Sequence, residues 1–136
     1  MTRDGGDRVR VVVADDDDDW RDLLAGSLER AGYSVQQVGD GLELRTLLEA
    51  AEAQGAPPDL VVSDHLMPHL TGLEVLAWAA SHAPNLPFII LSALAVPYIR
   101  EPALRLGAAA VIEKPIDVAL LQQRLADIMA ERRKSN

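Results

Sequence analysis

The chain has 136 residues, enough for one domain with a substantial core, and its 49% hydrophobic and 25% charged residues match a globular protein. A net charge of −8 disfavours a direct nucleic-acid surface, and the lack of cysteine excludes disulfides, thiolate metal sites and a cysteine nucleophile. Met1–Arg10 is polar and no apolar run approaches ~20 residues, so neither signal peptide nor membrane span is expected, and the cytoplasm is the default location.

Residues 1–7 carry two glycines and little to bury, and are expected to form a flexible tail. Val9–Ala14 is a β-branched run, the pattern of a strand buried on both faces of a parallel sheet. Five aspartates, Asp15 to Asp19, follow it without a break. Such a block is usually a solvated run, but Trp20, Leu23, Leu24, Leu28 and Ala31 continue at helical spacing. Carboxylates held between a buried strand and a helix crowd together, and two of them ~4 Å apart repel by roughly 4 kcal/mol at an effective dielectric near 20. Crowding of that kind is tolerable if some splay into water, one is protonated, or a cation binds. Acidic residues also suit the positive end of a helix dipole, so Asp18 and Asp19 are expected to cap the first helix, with Gly32 at its far end.

Tyr33–Val38 reads as a second, more polar strand suited to a sheet edge. A helix with Leu44, Leu47, Leu48 and Ala51 inward follows, broken by Gly55-Ala56-Pro57-Pro58. Asp59–Ser63 is a third strand ending at Asp64, and Thr71 with Glu74 forms a capping-box pattern for a helix whose expected stripe is Leu73, Leu76, Ala77 and Ala80. Phe88–Leu91 is a fourth strand. Pro97 and Pro102 both fall in the next helical segment, and an interior proline costs ~3 kcal/mol, so this helix is expected to be short, kinked or late to begin. Ala109–Ile112 is a fifth strand, and Asp117 caps a last helix with Val118, Leu121, Leu125, Ile128 and Met129 on one face. The domain is expected to span 8–131, with 132–136 as a C-terminal tail whose Arg132, Arg133 and Lys134 complement the negative helix end. Five alternations of strand and helix with short connections predict an α/β domain with a parallel sheet covered on both faces.

Ligands of open α/β sheets gather outside the carboxyl ends of the strands. There the sequence places Asp15 and Asp16 after strand one, Asp64 after strand three, Ser92 after strand four and Lys114 after strand five. Alone, each has a plain explanation as a cap, a turn former or a surface residue. Together, at equivalent ends of four strands, they form a constellation. Other candidates are weaker. Asp15, Asp17 and Asp19 imitate the start of a calcium loop, but Trp20 and Gly26 occupy its glycine and glutamate positions. His65 and His69 have no third ligand for zinc, and His82 suits a helix end.

From about Arg8 to Met129 the chain resembles a response regulator receiver domain of bacterial two-component signalling. The resemblance is carried by Asp15-Asp16, by Pro58-Asp59-Leu60-Val61-Val62-Ser63-Asp64 with Met67-Pro68 and Gly72, by Ser92-Ala93, by Gly107-Ala108 and by Lys114-Pro115. It implies a flavodoxin-like five-stranded parallel sheet of order 2-1-3-4-5 with five surrounding helices. It also implies that Asp64 accepts a phosphoryl group from a phosphohistidine of a sensor histidine kinase or phosphotransfer protein. Mg²⁺ would be held by Asp15 (mainly through water), Asp16, Asp64 and the backbone carbonyl of Leu66, while Ser92 and Lys114 meet the phosphoryl oxygens. Partner binding would switch through the last two helices, and the protein would not be an enzyme acting on diffusing substrates.

Three features depart from the family pattern. Position 92 is Ser rather than the commoner Thr. Val111 stands three before the lysine, where an aromatic switch residue is expected. Leu66 and Leu94, two beyond Asp64 and Ser92, cannot orient an attacking water, so slow autodephosphorylation is expected. Two rival functions are a degenerate receiver that binds partners without phosphorylation and a Mg²⁺-dependent aspartyl phosphohydrolase. The latter would use Asp15 and Asp17, but Asp19 stands where Thr or Val is expected and no later acidic pair is visible. With no effector sequence after the last helix, the chain is either a stand-alone receiver or a piece of a longer regulator, and the output is open.

Overall fold

A computed structural model describes residues 8–93 and 97–135. The tail expected over 1–7 and the position of Leu94 lie outside the described residues. Strand and helix alternate as β1 (Arg10–Ala14), α1 (Asp18–Arg30), β2 (Ser34–Val38), α2 (Gly41–Ala53), β3 (Leu60–Asp64), α3 (Gly72–His82), β4 (Phe88–Ser92), α4 (Pro97–Arg105), β5 (Ala110–Glu113) and α5 (Val118–Ser135). The strands pair in parallel in the order β2-β1-β3-β4-β5. The polar β2 is an edge, as its sequence predicts. The order reverses between β1 and β3, which puts the crevice of an open α/β sheet at their carboxyl ends.

Successive strand residues point to opposite faces, so each β-branched run feeds two cores. Val12, Val61, Phe88 and Ile90 pack with Leu44, Leu48, Val75, Leu76 and Ala103 of α2, α3 and α4. Val11, Val13, Leu60, Val62, Ile89 and Leu91 pack with Leu24, Leu28, Leu121 and Leu125 of α1 and α5. Burial of each large side chain contributes about 1.5–3 kcal/mol. Among the described residues, no helix is long and apolar enough to cross a membrane.

Several local expectations are corrected. Asp17, not Asp18 or Asp19, is the α1 N-cap: its side chain accepts from the Trp20 amide, and Asp18 and Asp19 occupy the first turn. The buried face of α1 is Leu24, Ala25 and Leu28, while Leu23 and Ala31 are exposed, because the sheet covers a narrower stripe than the apolar spacing suggests. In α3 the buried face is Gly72, Val75, Leu76 and Ala79, with Leu73 half-buried and Ala77 and Ala80 exposed. The Thr71–Glu74 capping box forms as expected. α5 continues through Ser135, so 132–134 are helical rather than tail, and Arg132 donates to the Asp59 carbonyl at 2.5 Å. α4 has nine residues and is short, but it does not begin late: it starts at Pro97, with Pro102 inside. Proline fits a first turn, and at 102 it removes the amide that would have met the carbonyl of Tyr98.

Gly72 sets how α3 meets the site. Its amide donates to the His65 carbonyl at 2.7 Å. A Cβ at this position would stand 2.5 Å from the Asp64 carbonyl oxygen and 3.1 Å from the His65 Cα, both backbone atoms that cannot rotate away. Gly72→Ala is therefore expected to destabilise the protein by roughly 1–3 kcal/mol in urea unfolding, the usual cost of overpacking.

Candidate functional site

Parallel pairing brings the candidate residues to one end of the sheet. Ala14 is in register with Ser63, so the residues that follow them, Asp15 and Asp64, emerge side by side. Ser92 is in register with Glu113, the residue before Lys114, whose amide donates to the Ser92 carbonyl at 2.7 Å. The Lys114–Pro115 peptide bond is cis.

Asp15 and Asp64 are buried and Asp16 is exposed, and carboxylate oxygens from all three lie within 4.8 Å of one another. Asp15 Oδ1 accepts from the Asp17 amide at 2.9 Å, and Asp64 Oδ1 accepts from the His65 amide at 2.9 Å. Lys114 Nζ stands 3.3 Å from Asp64 Oδ1 and 3.6 Å from Asp15 Oδ2. The longer distance is an ion pair but not a hydrogen bond, so Asp15 Oδ2 is buried without a hydrogen-bond partner among the described residues. A buried oxygen in that condition costs about 1–3 kcal/mol. Burial and then the charge of Asp15 push the Asp64 carboxyl above the ordinary range, while Lys114 and the His65 amide pull it back. One ammonium cannot balance three carboxylates. An all-oxygen set with an orphaned oxygen and surplus negative charge fits a hard divalent cation such as Mg²⁺.

Two supports were not legible beforehand. Arg21 donates to the Asp15 carbonyl at 2.7 Å, to Gln37 Oε1 at 3.1 Å and pairs with Asp18 at 2.9 Å, fixing the loop that carries Asp15. Its only sequence signal is an arginine in the first turns of the helix that follows the acidic run. Ser63 Oγ, fully buried, donates to the Asp64 carbonyl at 2.8 Å and holds the backbone there.

Beside Asp64 a pocket of about 210 Å³ opens, lined by Asp64, Ser92 and Lys114 on its polar side and by His65, Leu66, Ala93, Tyr98 and Ile99 on the other. The structure thus brings Asp15, Asp16, Asp64 and Lys114 into one cluster, with Ser92 and Leu66 on the adjoining pocket. The Leu66 side chain is largely exposed. His69 and His82 lie elsewhere: His69 takes a left-handed backbone conformation, and His82 Nδ1 lies 2.8 Å from the Trp78 carbonyl with its ring stacked on Trp78. The acidic trio is the sole cluster of potential metal ligands among the described residues, and neither a zinc site nor a calcium loop forms there.

Because the folded-state pKa of Asp64 is raised, the folded state favours its protonated form, a contribution present below the unfolded carboxyl value of ~3.9 and lost as pH rises through the folded value. Asp64→Asn should accordingly raise metal-free stability at pH 7, with the gain shrinking as pH falls toward ~4. Urea unfolding across pH checks this, and a gain that persists undiminished in acid would contradict it.

Comparisons with known proteins agree with the fold. The family model described as "Response regulator receiver domain" matches residues 11–126. The chain is 36% identical over 121 residues to "Response regulator MprA" of Mycobacterium sp. (strain KMS), covering 89% of this chain and 50% of that protein. It is 31% identical over 125 residues to "3',5'-cyclic-nucleotide phosphodiesterase regA" of Dictyostelium discoideum, covering 90% of this chain and 15% of that protein. The chain therefore spans about half the length of the MprA relatives it matches. Among solved structures, the Francisella response regulator 1452 receiver domain superposes with a TM-score of 0.81 at 26% identity, covering 95% of this chain and 100% of that one. A chain of the CheX-CheY-BeF3-Mg+2 complex from Borrelia burgdorferi superposes with a TM-score of 0.81 at 25% identity, covering 88% of each chain. The chain belongs to the response regulator receiver domain family and is the receiver domain of a two-component response regulator.

Proposed function

We propose that Asp64 accepts a phosphoryl group and that the resulting acyl phosphate switches partner binding. The observation that carries this is the pairing of a buried, hydrogen-bonded Asp64 with Lys114 Nζ at 3.3 Å beside an acidic trio containing an orphaned oxygen. Asp15, Asp16, Asp64 and the backbone carbonyl of Leu66 would hold Mg²⁺. When bound, the ion neutralises the carboxylates and offers positive charge to phosphoryl oxygens. A B. burgdorferi neighbour solved with BeF3 and Mg+2 supports that choice of ion.

The chain's own contribution is positioning and charge. An Asp64 oxygen attacks phosphorus, the P–N bond to the donor imidazole breaks, and the leaving nitrogen keeps the electron pair. Lys114 stands within reach to offset charge on the phosphoryl oxygens as a point cation, and Ser92 supplies a hydroxyl from the pocket wall. No general base is needed, because Asp64 attacks as a carboxylate. The donor would be a sensor histidine kinase or phosphotransfer protein in the cytoplasm, and the protein acts as a phosphoacceptor rather than as an enzyme on diffusing substrates. Phosphorylation replaces the single charge of the Asp64 carboxylate with a phosphoryl group of about −1.5 to −2 and three strong acceptor oxygens, drawing Ser92 and Lys114 inward and biasing α4 and α5 toward an effector-binding state. The complete acceptor set favours this over a receiver that binds partners without phosphorylation.

Incubation with acetyl phosphate and Mg²⁺ should shift the wild type, but not Asp64→Asn, on a phosphate-affinity gel. A shift that survives the substitution would falsify the assignment of Asp64, and no shift in either protein would favour the phosphorylation-independent alternative. Leu66 is apolar and lines the pocket, so it cannot orient an attacking water. The purified phosphoprotein should accordingly release phosphate slowly, and release within a few seconds would refute that.

A further inference from the structure

Asp16 is the least restrained member of the acidic trio. Asp15 and Asp64 are buried, and a backbone amide fixes one carboxylate oxygen of each. Asp16 is exposed, and its side chain makes no hydrogen bond among the described residues. Its direction is therefore set by the backbone that carries it, and one residue grips that backbone on both sides. The Arg21 guanidinium donates to the Asp15 carbonyl at 2.7 Å, and the Arg21 amide donates to the Asp17 carbonyl at 2.9 Å. The other two guanidinium nitrogens are also engaged: Nε donates to Gln37 Oε1 of β2 at 3.1 Å, and Nη2 pairs with Asp18 Oδ1 of α1 at 2.9 Å. Each nitrogen of the fork thus meets an acceptor on a different segment, and the side chain is only 15% exposed.

We propose that Arg21 is the positioning residue that aims Asp16 at the metal, and that it thereby favours Mg²⁺ over a larger divalent ion of the same charge. The inference rests on the acidic trio holding Mg²⁺. Mg²⁺ demands near-ideal octahedral geometry at about 2.0–2.1 Å, while Ca²⁺ accepts irregular oxygen sets at about 2.3–2.6 Å. A carboxylate aimed only through its backbone meets the stricter demand when that backbone cannot shift. The positive charge of Arg21 does not itself serve the ion, because a cation near a cation site repels it. The two roles therefore predict opposite results when Arg21 is lost. Removal of a charge tightens Mg²⁺ and Ca²⁺ alike. Removal of a clamp frees the Asp15–Asp17 backbone and loosens Mg²⁺ above all. Lysine separates the two, since its ammonium keeps the charge but cannot span three acceptors as a planar fork does.

The metal-free full chain, ¹⁵N-labelled and without any phosphoryl donor, is titrated with Mg²⁺ and, in a separate series, with Ca²⁺. Dissociation constants are read from the Asp16 and Asp64 amides of wild type, Arg21→Met and Arg21→Lys, while the Val62 and Leu91 amides verify that each variant keeps its core. Arg21→Met is expected to weaken Mg²⁺ binding about tenfold, the loss typical of removing a support behind a metal ligand, and Ca²⁺ binding by a clearly smaller factor. Arg21→Lys is expected to move the ratio of the two constants in the same direction, and it carries the test alone if Arg21→Met does not fold. Mg²⁺ binding that is unchanged or tighter, or equal losses for the two ions, would overturn the inference and leave the metal site standing. If the wild type shows no response to Mg²⁺, the metal reading falls and the inference falls with it.

Discussion

Crowding of negative charge at the carboxyl ends of β1 and β3 is the constraint on which the rest of the site depends. Asp15 and Asp64 are both buried, and Asp16 brings a third carboxylate within the same few ångströms. In water such a trio would splay apart. Here the backbone forbids it: Arg21 holds the Asp15 carbonyl, Ser63 holds the Asp64 carbonyl, and the Asp17 and His65 amides fix one oxygen of each buried carboxylate. Lys114 relieves part of the repulsion but is shared between two acids at 3.3 and 3.6 Å. The strain that remains is what makes the site receptive to positive charge, and electrostatics of this kind is characteristic of functional sites.

The two-sided core supplies the rigidity that this arrangement needs. Because each strand buries alternate residues on both faces, the β1 and β3 ends cannot drift apart without opening both clusters. Gly72 lets α3 begin directly against the Asp64 and His65 backbone, which closes the remaining side. The protein spends stability on the acidic trio and recovers it in Leu, Val and Ile packing, so site and core are energetically opposed yet mechanically joined.

The α4–β5 side is built differently. Val111 lacks a ring, and Arg100 of α4 donates to its carbonyl at 3.1 Å, tying helix to strand through backbone rather than through an aromatic side chain. α4 is short and carries a proline in its interior, so one of its own hydrogen bonds is missing. Any signal leaving Asp64 through this side passes through groups other than a β5 aromatic residue.

The sequence alone determined the strand and helix order, the parallel sheet with a polar edge strand, the Thr71–Glu74 cap, and the gathering of Asp15, Asp16, Asp64, Ser92 and Lys114 at one end. These follow from local pattern: β-branched runs, helical spacing, and the rule that parallel strands share their carboxyl ends. Tertiary structure decided what depends on which face a neighbour covers. Leu23 and Ala77 fit an apolar stripe by spacing but lie outside the narrower strip that the sheet covers. Asp17 rather than Asp18 became the cap because its extended backbone places its side chain against the Trp20 amide, while Asp18 is already in the first helical turn. The Arg21–Gln37 contact and the unpartnered Asp15 oxygen beside Lys114 arise between segments apart in the chain, and the supporting bonds of Arg21 to the Asp15 carbonyl and of Ser63 to the Asp64 carbonyl depend on the backbone geometry at the strand ends. No local pattern encodes such contacts, because they are set by how the elements pack.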